Sequence, residues 1–153
     1  MNIELETLDE TEHFAAALWN ALPPNYLIFL HGQLGAGKTT LVRSLLRAAG
    51  YQGAVKSPTY TLVEEYEINQ QKIFHFDLYR IADPEELELI GIRDYMEEQS
   101  ICFIEWAELG ENFLPEPDLV LNFRVEADKR ILKLSKKSQK TIELKWKNNN
   151  LLL

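Results

Sequence analysis

The segment Gly32-Gln33-Leu34-Gly35-Ala36-Gly37-Lys38-Thr39 constrains this chain more than any other stretch. It matches G-x-x-x-x-G-K-[ST], the phosphate-binding loop. Gly32 and Gly37 free the backbone to curl, so that successive N–H groups face phosphate oxygens. Lys38 brings a point charge to the β/γ-phosphates, and Thr39 offers a hydroxyl to Mg2+. The flanks agree with the motif. Residues 26–30 (YLIFL) form the short apolar run of a buried strand. Residues 40–49 have apolar side chains at helical spacing and stop at Gly50. That helix would add the positive end of its dipole to the site.

Around this unit the pattern predicts one α/β domain over 1–147. Residues 2–6 read as a strand, and Thr7-x-x-Glu10 as a capping box opening a helix that Pro23-Pro24 closes. Residues 61–68 and 72–79 read as a hairpin about Asn69-Gln70-Gln71. Asp83-Pro84-Glu85-Glu86 has the chemistry of a helix start, with Gly91 as its stop; residues 93–99 predict a second short helix. Residues 101–106 predict an apolar strand, and 118–125, 131–136 and 141–146 antiparallel strands at the end. Residues 148–153 (NNNLLL) are expected to fray. The expected architecture is a three-layer sandwich of the phosphate-loop NTPase kind. Its sheet would be mixed, with the phosphate-loop strand central and antiparallel strands at the C-terminus.

A chain of 153 residues with 46% hydrophobic and 26% charged residues suits a single globular core. No run is apolar enough to span a bilayer, the first residues lack a signal-peptide pattern, and the single Cys102 lies in an apolar run. These features point to the cytoplasm and to a buried, inert thiol. The net charge of −8 is unevenly spread: residues 1–128 hold 8 basic and 23 acidic side chains, whereas 129–153 hold 8 basic and 1 acidic. The acidic body argues against wholesale nucleic-acid binding. The basic end reads as a solvated hairpin, or as a surface for an acidic partner or an RNA edge.

A phosphate loop needs a carboxylate on a neighbouring strand and a group that positions water. Two apolar runs end in acids: 101–105 in Glu105 and 72–77 in Asp77. Carboxylates at strand C-termini lie at the sheet edge where ligands bind. Glu105 is the candidate for Mg2+, and Asp77 for a catalytic or γ-phosphate-sensing acid. Ser57-Pro58-Thr59-Tyr60-Thr61 presents hydroxyls in a stiff loop, and Thr59 or Thr61 is placed to meet the γ-phosphate or its metal. His31 and His75 lack metal-ligand spacing and read as packing residues, His13 as a surface residue, and Trp106 as core or, alternatively, a contact near the nucleotide. The guanine-reading Asn-Lys-x-Asp is absent, which favours ATP over GTP. Arg80 is a candidate arginine finger in cis; a partner's arginine is the alternative.

Taken together and in order, GQLGAGKTT (32–40), SPTYTLVEEY (57–66), HFDLYR (75–80) and IEWAE (104–108) resemble the TsaE family, formerly YjeE. The resemblance covers roughly residues 32–108. It implies a small bacterial ATPase, with ATP and Mg2+ as cofactors, required to make threonylcarbamoyladenosine in tRNA. It implies partners as well: TsaD, which transfers the threonylcarbamoyl group to the adenosine beside the anticodon, and TsaB, with tRNA contacted indirectly. Carried over by motif, Gly35, Ala36, Gly37, Lys38, Thr39 and Thr40 would hold the phosphates. Thr39 and Glu105 would hold Mg2+, and Asp77 with the 57–61 loop would respond to the γ-phosphate. Glu108 would lie near the nucleotide, and Thr7 and Arg130 around the adenine. Two other readings share the loop. One is a small-molecule kinase, poorly served by an acidic 80–100 segment holding only Arg80 and Arg93. The other is a nucleotide-gated binding module without essential turnover.

Overall fold

The computed structural model describes residues 1–97 and 99–153. In chain order the elements are β1 (Asn2–Leu5), α1 (Leu8–Ala21), β2 (Tyr26–His31), α2 (Lys38–Ala48), β3 (Val63–Ile68), β4 (Gln71–Asp77), α3 (Glu86–Leu89), α4 (Ile92–Glu97), β5 (Ser100–Glu105), a 3-10 helix (Ala107–Phe113), β6 (Leu119–Glu126), β7 (Lys129–Lys136), β8 (Glu143–Trp146) and β9 (Asn149–Leu152). Seven strands form one sheet in the order β1-β7-β6-β2-β5-β4-β3. The phosphate-loop strand β2 lies in the middle, parallel to β5 and β6, and β4 continues the parallel run beside β5. The outer pairs β1–β7, β6–β7 and β3–β4 are antiparallel. The sheet is mixed, as the pattern predicts.

Strand alternation builds two cores. Ile28, Leu30, Ile101 and Phe103 face α1 and α2, while Leu27, Phe29, Cys102 and Ile104 face the layer that contains α3, α4 and the 3-10 helix. A strand buried on both faces reads as a continuous apolar run, which is why β2 and β5 are the plainest strands in the sequence. Cys102 is buried, in keeping with its run.

Local chemistry sets the element ends. Thr7 caps α1 by accepting a hydrogen bond from Glu10 N at 3.1 Å. Asn69 and Gln70 both adopt left-handed φ (49° and 70°), the two-residue turn that suits a twisted hairpin. Strand β3 begins at Val63 rather than 61 because Leu62 N closes a turn onto Pro58 O at 2.9 Å. The helix expected from Asp83 is a single turn, Glu86–Leu89. The second short helix spans Ile92–Glu97; Glu98, inside its expected range, lies outside the described residues. Among the described residues no helix is long and apolar enough to cross a membrane.

The C-terminus departs from expectation. Residues 148–153 do not fray: Asn149–Leu152 pair with Glu143–Trp146 in a second, two-stranded sheet. Strand β8 therefore leaves the main sheet and lies against α1, with the Trp146 and Phe14 rings edge-to-face at 5.5 Å. Leu153 is 5% exposed and exchanges both backbone hydrogen bonds with Ile142. Leu151 and Leu153 supply the apolar contacts with the core, while Leu152 between them is 72% exposed. Deleting residues 148–153 should lower stability by ~2–4 kcal/mol, from the lost Leu burial and the unpaired Ile142 backbone, seen as a lower urea midpoint. An unchanged midpoint would mean the hairpin contributes nothing to the cooperative unit.

Tyr26 makes a second test of the core. Its hydroxyl is buried and has no hydrogen-bond partner among the described residues. Burial first, and Asp118 second, push its phenol up to about 12 from 10.0. A folded pKa above the unfolded value gives stability that is complete below pH 10 and is lost as pH rises toward 12. Tyr26→Phe should match or exceed the parent stability at neutral pH by up to ~1 kcal/mol and should lack that alkaline decline, read by denaturant unfolding at a series of pH values.

Candidate functional site

The loop leaving β2 is held from both ends. At Gly32 a Cβ would meet Phe123 O at 2.9 Å, and at Gly37, with φ +109°, it would meet Arg130 Nε at 2.8 Å. Only glycine fits so close to β6 and β7 while turning the chain into α2. The Arg130 guanidinium donates from Nε to Ala36 O at 3.0 Å, tying the loop to β7. Lys38 opens α2 but is 4% exposed; its ammonium donates to Gly32 O at 2.6 Å and lies 4.1 Å from the centre of the Trp106 ring. Burial pulls this ammonium below its ordinary pKa, and Glu105, Glu108 and Asp77 oppose that shift only in part. The lysine is thus folded back onto the loop's own carbonyl, a contact that a phosphate oxygen is well suited to replace.

Parallel pairing of β4 with β5 places Asp77 opposite Glu105. Both carboxylates are buried, at 5% and 3% exposure. Glu105 Oε2 accepts from the Thr39 hydroxyl at 2.9 Å and lies 2.5 Å from His75 Nε2. Asp77 Oδ2 accepts from Thr59 Oγ1 at 3.2 Å, and its Oδ1 accepts from Tyr79 N at 2.9 Å. Thr59 in turn contacts Ser57 Oγ at 2.7 Å. A cavity of about 160 Å3 lies among the loop, Thr59, Asp77, Glu105 and Trp106. A larger one, about 730 Å3, opens on the other side of the start of α2. Leu5, Leu8 and Phe123 give it apolar walls, and Arg43 and Arg130 basic ones. Gly37 and Thr40 line both cavities.

The structure brings together Gly35, Gly37, Lys38, Thr39, Thr40, Thr59, Asp77 and Glu105 around the smaller cavity, with Ala36 and Arg130 joined behind the loop. Glu108 stands at the margin, 3.8 Å from His31 Nε2. Two expected residues point elsewhere. Thr61 donates to Glu64 at 2.9 Å on the solvent side of β3, and the Thr7 hydroxyl is committed to capping α1. The N-terminal segment reaches the larger cavity through Leu5 and Leu8 instead. Arg80 stacks on Tyr60, 4.4 Å from the ring centre, and donates to its hydroxyl at 3.3 Å. Trp106 is half-buried against the second core and also lines the smaller cavity, with φ 57° and its ring 4.9 Å from that of Tyr79. His75, read as packing, is hydrogen-bonded to the Glu105 carboxylate. Its signal was the strand period, which puts it two residues before Asp77 and on the same face.

The close approach of Arg130 to Gly37 is testable without any ligand. Gly37→Ala should cost ~1–3 kcal/mol from positive-φ strain and the clash. In an Arg130→Ala background the cost should be smaller, because only the strain remains. Equal costs in a double-mutant cycle would show that the guanidinium does not limit this position.

Three comparisons bear on this geometry. The family model described as "Threonylcarbamoyl adenosine biosynthesis protein TsaE" matches residues 5–134. The chain is 58% identical over 108 residues to the tRNA threonylcarbamoyladenosine biosynthesis protein TsaE of Haemophilus influenzae, covering 71% of this chain and 68% of that one. It is 34% identical over 120 residues to the protein of the same name from Bacillus subtilis, covering 78% and 75%. In structure it resembles the crystal structure of Bacillus subtilis YdiB, with TM-score 0.74, 28% identity, and 89% and 84% of the two chains covered. A matched region running from β1 through most of β7 takes in the phosphate loop, both carboxylates and Arg130, and on that ground the chain belongs to the TsaE family of tRNA threonylcarbamoyladenosine biosynthesis proteins.

Proposed function

We propose that this chain is the Mg2+-dependent subunit that binds and hydrolyses ATP to drive a TsaD–TsaB complex in tRNA threonylcarbamoyladenosine synthesis, in the cytoplasm, touching tRNA only through its partners. The observation that carries the reading is the convergence of Lys38, Thr39, Asp77 and Glu105 on one cavity at the mouth of the phosphate loop.

Loop amides from Gly35 to Thr40 and the start of α2 cradle the phosphates. Lys38 exchanges the Gly32 carbonyl for a phosphate oxygen. A hydroxyl and a carboxylate 2.9 Å apart are the hard oxygen donors that Mg2+ prefers, so Thr39 and Glu105 would hold it. When bound, the ion neutralises charge developing on the phosphate oxygens. Asp77 links that site to the 57–61 loop through Thr59, and so reports on or orients the group at the γ-position. Adenine enters the larger cavity, bounded by Leu5, Leu8 and Arg130, with Thr7 holding the turn between β1 and α1. Glu108 borders the nucleotide beside His31.

Among the described residues only Lys38 brings a cation into the small cavity, and Arg80 is engaged with Tyr60. Turnover is therefore slow alone and faster when a partner completes the site. Lys38→Ala should weaken ATP binding by ~10–100-fold, as expected for a lost charge-assisted contact. It should also abolish multiple-turnover modification of tRNA by TsaD, TsaB and threonylcarbamoyl-adenylate. Modification that proceeds equally well without this chain overturns the reading. Loss of hydrolysis in Glu105→Ala and Asp77→Ala with modification intact would instead make the chain a nucleotide-gated module.

A further inference from the structure

We propose that His75 is a positioning residue for the metal-binding carboxylate: its imidazole holds one oxygen of Glu105 and thereby fixes how the other is presented to a divalent cation. This rests on the reading of Glu105 as a Mg2+ ligand.

The two side chains are 1% and 4% exposed, with His75 Nε2 and Glu105 Oε2 separated by 2.5 Å. In the β4–β5 register His75 lies opposite Phe103 and Asp77 opposite Glu105, so His75 and Glu105 are diagonal neighbours. They share the sheet face that α2 covers, as Ile73 and Phe103 do. A carboxylate that ligates a cation can only accept, so in that role Glu105 takes its hydrogen bond from Nε2. The other ring nitrogen, Nδ1, has no partner among the described residues. A histidine kept only for packing would carry this orphan atom with no return, and an apolar side chain of similar volume would serve better.

Thr39 donates to the same Oε2 at 2.9 Å. Two donors converging on one oxygen, one from β4 and one from α2, hold the flexible glutamate in a single orientation. Oxygens that ligate metals are commonly held by such outer partners, and losing one typically costs 10–100-fold in metal affinity. His75 therefore belongs to the site through Glu105, without touching nucleotide.

The test uses the whole chain and a fluorescent ADP, with Mg2+ titrated at saturating nucleotide. His75→Leu removes the donor and keeps the volume; His75→Gln keeps an N–H at the position of Nε2. His75→Leu should weaken apparent Mg2+ affinity by ~10–100-fold, and His75→Gln should restore it to within about 3-fold of the parent. ADP affinity in EDTA should be the same in all three, which a general packing defect would not permit. A parent-like Mg2+ response in His75→Leu overturns the role of His75 alone, as does a His75→Gln as defective as His75→Leu. Should His75→Leu fail to fold, His75→Asn, whose amide falls short of Glu105, carries the same comparison. Absence of any Mg2+ effect on the parent overturns the metal reading itself and the role of His75 with it.

Discussion

The parallel alignment of β2, β5 and β4 is the constraint on which the site depends. Parallel strands end at the same edge, so the loop after His31, the carboxylate of Glu105 and the carboxylate of Asp77 emerge side by side. The apolar runs that precede them, filling both faces of the sheet, are what fix that edge in place. A slip of one residue in β4 would turn His75 and Asp77 to the opposite face, away from α2 and Thr39.

Within that frame the site is a set of charges held short of full compensation. Lys38 is buried more deeply than a lone lysine tolerates, and three carboxylates restore part of the lost hydration. Its ammonium rests on Gly32 O and the Trp106 ring, and Glu105 rests on two donors. Such an arrangement is suited to an anionic ligand that brings its own oxygens to Lys38, and to a cation that shares Glu105. Arg130 adds a different kind of restraint, tying the loop to β7 by one hydrogen bond across a gap that only a glycine leaves open. The C-terminal hairpin supports the other end of the same layer by covering α1.

Much of this was legible in the chain. The phosphate loop, its strand and its helix follow from glycine placement and apolar spacing, and Glu105 and Asp77 from their position at the ends of apolar runs. The family resemblance was carried by four short segments and agrees with the family match. The misses have a common cause. Three leucines after a polar run carry no period, so 148–153 read as a tail, whereas Leu151 and Leu153 pack on the core that also holds Trp146. Thr59 and Thr61 look alike in the sequence, but the turn closed at Leu62 aims one at Asp77 and the other at Glu64. Trp106 packs against the core as an apolar residue should, but that its ring also meets Lys38 is set by its left-handed backbone.

Local chemistry is written in the residue types themselves. Glycine permits the loop, lysine and threonine supply its donors, and alternation or continuity of apolar residues marks strands on one face or two. These need only near neighbours in the chain. The His75–Glu105 contact, the Arg130 tie to Ala36 and the pairing of β8 with β9 join residues 30, 94 and a hairpin's length apart or rest on partners set by strand order. Register and layer packing decided them, because hydrogen-bond partners distant in sequence are chosen only once the sheet has closed around its core.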